Sequence, residues 1–141
     1  MSKLKLPDGY CFHHIGYATQ SIENEKYLFR FLGYYPESED FIDPVQGVKG
    51  CFLIGSGPRI ELLENLPGRS VLNPWISSGT KMYHLAYVVN CIQSSIDWAC
   101  SYRAKVIVKP VSSIAFRGSL ITFLMFRNGL VLELIENSGT L

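Results

Sequence analysis

HIGYATQSI at residues 14–22 recurs in altered form as HLAYVVNCI at 84–92, with His, Tyr and Ile at the first, fourth and ninth places. The offset is 70 residues (84 minus 14). A second pair, RIELLE at 59–64 and VLELIE at 131–136, shares Glu, Leu and Glu at an offset of 72 (133 minus 61). Two matches at nearly one offset mark a chain made of two copies of one unit, so its fold must be built twice.

Each copy opens with a strand-like run and then turns helical. In the first, Ser21 can cap a helix with Glu23 and Glu25 in its first turn, an apolar face including Leu28, Phe31 and Leu32, and Gly33 as its stop. In the second, Ile92, Ile96, Ala99 and Cys100 form one helical stripe. Three β-rich runs follow each helix: YYPESED, GVKGCFLIG and PRIELLEN, then AKVIVKP, SLITFLMF and LVLELIE, with GSGP and RNG as turns. The unit reads βαβββ, giving an α+β fold in a single domain over 1–141: module one about 10–65, a linker at 66–80, module two about 81–136.

With 48% hydrophobic and 18% charged residues, the 141-residue chain has the composition of a folded globular protein. A net charge of +1 gives no basic surface for nucleic acid or an anionic membrane. Cys11, Cys51, Cys91 and Cys100 form no CxxC pair and sit in apolar segments, which suits reduced thiols packed as small hydrophobes. MSKLKLPDG has no leader-like apolar region and no membrane-length apolar run occurs, so a cytoplasmic location is expected.

Strand alternation puts Phe12, His14, Gly16 and Ala18 on one face and Cys11, His13, Ile15 and Tyr17 on the other. The second copy splits as Met82, His84, Ala86 and Val88 against Tyr83, Leu85, Tyr87 and Val89. The bulky faces suit the helices, and the faces with small residues leave room for a ligand. His14 is thus expected inside, with His13 on the helix side or at an edge as a structural residue. Glu61 shares a face with Arg59, Leu63 and Asn65, and Glu133 with Val131 and Ile135. Burying such a carboxylate needs compensation. Each residue taken alone is more often a core or surface group than a ligand, but the repeat pairs two histidines and two glutamates. His14, Glu61, His84 and Glu133 therefore suit one divalent ion: Zn, Ni, Co, Fe or Mn. Glu64 and Glu136 also match, on the opposite face, where solvent or a salt bridge is expected.

These features resemble the vicinal oxygen chelate superfamily over residues 12–136. Within it HHIGYA, LGY, DPVQGV, IELLEN, SVLNPWISSGTKMYHLAY and LVLELIE are most similar, in order, to methylmalonyl-CoA epimerases. The resemblance implies two βαβββ modules forming a cup-shaped mixed sheet around one metal, with helices outside and the ligands at His14, Glu61, His84 and Glu133. It also implies enolisation of an acyl thioester or α-oxygenated carbonyl compound, with the metal on the carbonyl and a carboxylate taking the adjacent proton. Glu133 and Glu61 are the catalytic candidates. The epimerases carry a further basic glutamate where this chain has Val45; Asp43, two residues away, can substitute if the strand is regular, although Asp before Pro is an ordinary turn former.

A competing reading is a lactoylglutathione lyase of the glyoxalase I type. Asn65 matches its asparagine, but Ala18 stands where its glutathione-holding arginine belongs. A third reading is a non-catalytic small-molecule binder of the same fold. The last is an extradiol iron enzyme, in which Glu61 would fill a position that must stay open. Lys81 and Arg117 are candidates for a nucleotide-phosphate tail such as that of CoA. Trp75 is expected to plug the sheet, and a homodimer is left open.

Overall fold

The computed structural model describes residues 6–7 and 9–139, so most of MSKLKLPDG lies outside the described residues. Strand β1 (Cys11–Ala18) leads to Ser21, whose side chain accepts from Asn24 N–H and starts α1 (Ile22–Phe29). A 3-10 turn, Arg30–Leu32, ends at Gly33, which takes φ +76°. Then come β2 (Tyr35–Pro36), β3 (Phe41–Asp43), β4 (Val48–Ile54) and β5 (Ile60–Asn65), followed by a short helix, α2 (Asn73–Ser78). The second half supplies β6 (Met82–Val89), α3 (Ile92–Ser101), β7 (Lys105–Ser112), β8 (Leu120–Met125) and β9 (Val131–Glu136).

The strands form one curved mixed sheet in the order β2-β4-β5-β1-β6-β9-β8-β7, with β3 paired to β4. The opening strands of the two copies, β1 and β6, lie antiparallel at its centre, and each is parallel to its own closing strand, β5 or β9. Alternation then sorts the side chains. Ile60 and Leu62 pack with Ile22 of α1, and Leu134 packs with Ile92, Ile96 and Ala99 of α3. Glu61 and Glu133 fall on the other, concave face, where Phe52, Ala86, Phe116, Ile121 and Ile135 form a separate apolar cluster.

Several local expectations are corrected. YYPESED yields only the two residues of β2, because Pro36 removes a ladder donor, and FID forms its own strand, so the first copy has four short runs after its helix. The segment 66–80, whose secondary structure the sequence leaves open, contains α2, opened by Pro74 and closed by Gly79 at φ +73°. Leu28, Phe31 and Leu32 are exposed, Phe31 at 90%. The chain tightens into the 3-10 turn after Phe29, and Ile22, Glu25 and Phe29 form the inner stripe instead. Glu25 is tolerated there because Tyr17, Thr19 and Lys81 all donate to its carboxylate. In α3, Ser95 is buried and Cys100 exposed; of the four thiols only Cys51 is buried, and all are free.

Glu64 and Glu136 have one shared task. Glu64 Oε1 accepts from Ile22 N–H at 3.0 Å, and Glu136 Oε2 accepts from Ile92 N–H at 2.9 Å. Each copy's last strand thus binds an open donor in the first turn of its own helix and places a negative charge at its positive end. Glu64→Ala and Glu136→Ala should each lower stability by about 1 kcal/mol. The two losses should add in the double variant, since the sites lie in separate halves; urea unfolding of the single and double variants checks both points.

Candidate metal centre

The central ladder is irregular at two equivalent places. Phe12 pairs with Tyr87 and His14 with Ala86, leaving His13 as an extra residue on β1; Gly16 pairs with His84 and Tyr17 with Met82, leaving Tyr83 extra on β6. A bulge of this kind re-aims the side chain it inserts. His13 is therefore not on the helix side, as strict alternation requires: its ring lies 5.0 Å from His14, 5.4 Å from Phe116 and 5.8 Å from Phe52. Tyr83, the counterpart of His13 in the repeat, likewise turns inward, its ring 4.5 Å from those of His84 and Trp75.

The bulges also fix the cross-strand pairs. His14 sits opposite Ala86 and His84 opposite Gly16, so each imidazole faces a small residue across the ladder. A Cβ on Gly16 would come within 1.9–2.3 Å of three atoms of the His84 ring.

The structure brings His14, Glu61, His84 and Glu133 together, at 0, 3, 2 and 3% exposure. His14 Nε2 is 3.1 Å from Glu61 Oε1 and 3.2 Å from both Glu133 Oε1 and His84 Nε2. His84 Nε2 is 3.3 Å from Glu133 Oε1 and 3.7 Å from Glu61 Oε1. Four ligands placed tetrahedrally at about 2.0–2.1 Å from an ion stand about 3.3 Å from one another. The group also fails to satisfy itself: among the described residues, neither Glu133 Oε1 nor His84 Nδ1, both buried, has an aligned hydrogen bond. Donor atoms that converge on one point instead of pairing off fit a divalent cation, and two imidazoles with two carboxylates suit Zn, Ni, Co, Fe or Mn.

Burial alone would depress His14, but the Glu61 carboxylate, with Glu133, outweighs it and raises the imidazole to about 9. Burial would raise Glu133, yet the close approach and charge of His14 and His84 hold it well below the ordinary carboxylate range. His13 is lowered to about 4, first by burial and then by the charges of His14 and Arg59. Because His14 is raised above its ordinary 6.5, the stability it contributes to the metal-free protein is fully present below pH 6.5 and is lost as pH rises through about 9. Metal must displace that proton. Affinity should therefore climb about tenfold per pH unit until near the raised value and then level off. Calorimetry in buffers of different ionisation enthalpy should show about one proton released per ion at pH 7.

Beside the centre lies a cavity of about 80 Å³, bordered by Glu61 and Glu133, by Asp43, by Tyr83 and by Trp75 of α2. Asp43 is 2% exposed; its Oδ1 accepts from Gln46 N–H at 3.1 Å, so it is a turn former as well as a cavity carboxylate. Strand β3 ends at Asp43, and Val45 lies in the following turn, 67% exposed, so the two do not share a strand face. Trp75, expected as a plug, packs on Tyr83 and lines the cavity. Sequence reasoning misses Tyr83 as a lining residue; its place in the repeat, matching His13, is the available signal.

Three other candidates stand apart from this cavity. Asn65 donates to Asn73 and accepts from Leu72 N–H, tying the start of α2 to β5. Lys81 pairs with Glu25 at 3.2 Å and covers the Tyr17 ring. Arg117 closes a 3-10 turn at φ +54° and borders a different hollow, with His13 and Glu37.

No curated protein sequence matches this chain. Among solved structures, a hypothetical protein from Bacillus halodurans C-125 aligns with a TM-score of 0.76 and 28% identity, over 92% of this chain and 95% of that one. Methylmalonyl-CoA epimerase from Mycobacterium tuberculosis aligns at 0.75 with 21% identity, over 96% and 92%. A single-substitution variant of the Streptomyces coelicolor methylmalonyl-CoA epimerase, in complex with 2-nitronate-propionyl-CoA, aligns at 0.69 with 20% identity, over 90% and 96%. Residues 13–123 match one superfamily, a span that includes His14, Glu61 and His84 and ends before Glu133. The chain belongs to the glyoxalase/bleomycin resistance protein/dioxygenase superfamily.

Proposed function

We propose that this protein is a metal-dependent isomerase or lyase that enolises a short acyl thioester or α-oxygenated carbonyl compound, in the manner of a methylmalonyl-CoA epimerase. The observation that carries the reading is Asp43: a buried carboxylate bordering the same cavity as the two-histidine, two-glutamate centre. A divalent ion held by His14, Glu61, His84 and Glu133 would supply the Lewis acid that stabilises negative charge developing on the substrate carbonyl oxygen.

The chain's own groups do the rest. Asp43 comes from β3, while Glu61 and Glu133 come from β5 and β9, so an acyl carbon between them has carboxylates on more than one side. When the C–H bond breaks, the proton passes to a carboxylate oxygen and the electron pair moves to the carbonyl oxygen. Return of a proton from the opposite carboxylate inverts the carbon; return from the same one restores it. A cavity of about 80 Å³, largely walled by apolar side chains, suits a short acyl end. Support for a CoA thioester comes from the fold neighbours, which include an epimerase in complex with methylmalonyl-CoA. The glyoxalase-type reading has little support, since Ala18 is buried in the core and Asn65 is engaged by α2.

Asp43→Asn keeps the acceptor that serves Gln46 N–H but cannot take a proton. In deuterated buffer the metal-loaded wild type should exchange the α-proton of both methylmalonyl-CoA epimers, and the variant should exchange that of one epimer about 10²–10⁴-fold more slowly while binding metal normally. Unchanged exchange of both epimers in the variant removes Asp43 from the chemistry. A metal-loaded wild type that exchanges no acyl-CoA, yet binds small molecules with an affinity that His14→Ala leaves intact, is a binding protein instead.

A further inference from the structure

His13 Nδ1 and His14 Nδ1 stand 2.8 Å apart, a hydrogen bond in which only one of the two nitrogens carries the proton. The other end of His14 decides which. Its Nε2 faces Glu61, Glu133 and His84 at 3.1, 3.2 and 3.2 Å, so Nε2 is the atom offered to a metal. An imidazole that ligates through Nε2 keeps its proton on Nδ1 and donates it to a neighbour. We infer that His13 is that neighbour: a positioning residue that accepts from His14 and so fixes the tautomer and ring orientation in which His14 binds metal.

The bulge makes this contact available. In a regular strand, adjacent side chains point to opposite faces, and the residue before a ligand cannot reach it. The extra residue in β1 returns His13 to the inner side. There Phe52 and Phe116 both meet its ring edge-to-face, at 79° and 82°, and Arg59 Nη1 donates to its carbonyl at 2.9 Å. The acceptor is thus held by packing and by its backbone. His84 is oriented differently: among the described residues its Nδ1 has no hydrogen-bond partner, and its ring is held by Gly16, Tyr83 and Phe123. The two ligating histidines therefore differ in their support, and loss of an acceptor should affect only the first.

The inference rests on the metal reading. His13→Phe keeps an aromatic ring between Phe52 and Phe116 but removes the acceptor; His13→Asn restores an acceptor oxygen close to the position of Nδ1. Zinc affinity is measured for the wild type and both variants by competition with a chromophoric chelator, with circular dichroism as a folding control. His13→Phe should bind about 10–100-fold more weakly, and His13→Asn should recover most of the loss. Nitrogen-15 NMR of the zinc-loaded wild type should find protons on Nδ1 of His14 and Nε2 of His13, a readout that stands even if His13→Phe does not fold. A wild type that takes up no zinc overturns the metal reading and this inference together. Zinc binding by the wild type and a folded His13→Phe with equal affinity, or a zinc-loaded His14 protonated on Nε2, overturns the inference alone.

Discussion

His14→Ala should cost the metal-free protein about 3–5 kcal/mol, out of the 5–15 kcal/mol typical of a domain this size. The size of the loss follows from what His14 neutralises. It is fully buried, and with its imidazole raised to about 9 it is a cation at pH 7, set against Glu61 and Glu133, which are each 3% exposed. Removing the ring leaves two carboxylates about as buried as before, with their nearest positive charge gone, and adds a cavity under Phe52 and Phe116. A second substitution separates the charge effect from the cavity. In the His14→Ala background, Glu133→Gln should be less harmful than it is alone, because it removes a charge that has lost its His14 partner and keeps only His84 beside it. The double-mutant cycle should therefore show strong coupling in urea unfolding at pH 7. A single-variant loss below about 1 kcal/mol would mean that the buried group is not held together by charge.

The quartet is legible in the sequence because it depends on two regularities that the fold keeps: the repeat and strand alternation. Glu61 and Glu133 sit one residue from Leu62 and Leu134, and the apolar neighbours go to the helices while the acids go inside. What alternation cannot give is any place where the ladder gains a residue. His13 and Tyr83 are those places, and strict alternation puts both on the wrong face. The inner face of α1 is hidden by Glu25, whose burial depends on Tyr17, Thr19 and Lys81, contacts across as many as 56 residues of chain that no local pattern contains. Lys81 reads as a substrate cation for the same reason, since its charge is visible in the sequence and its partner is not. Glu64 and Glu136 look like surface acids until the parallel pairing of first and last strands brings them to the helix starts.

Gly16→Ala should abolish tight metal binding with little change to the backbone. Gly16 lies in the ordinary strand region and stands opposite His84, so alanine is conformationally acceptable there. Its Cβ, however, would occupy the space of the His84 ring. That ring cannot move aside easily, because Tyr83 meets it at 87° on one side and Phe123 at 83° on another. Relief requires the imidazole to swing, which carries Nε2 away from Glu133 and Glu61 and removes one of the four candidate ligands. The small residues that in the sequence leave space for a bound molecule are here the clearance for the His14 and His84 side chains themselves. Zinc affinity should fall at least about 100-fold, more than for loss of a supporting contact. The metal-free variant should lose about 1–3 kcal/mol from overpacking. Adding His84→Ala should return most of that stability by emptying the contested space, while leaving metal binding abolished. Wild-type zinc affinity in Gly16→Ala would show that the His84 ring has another way to reach the centre, and that the glycine serves only the strand.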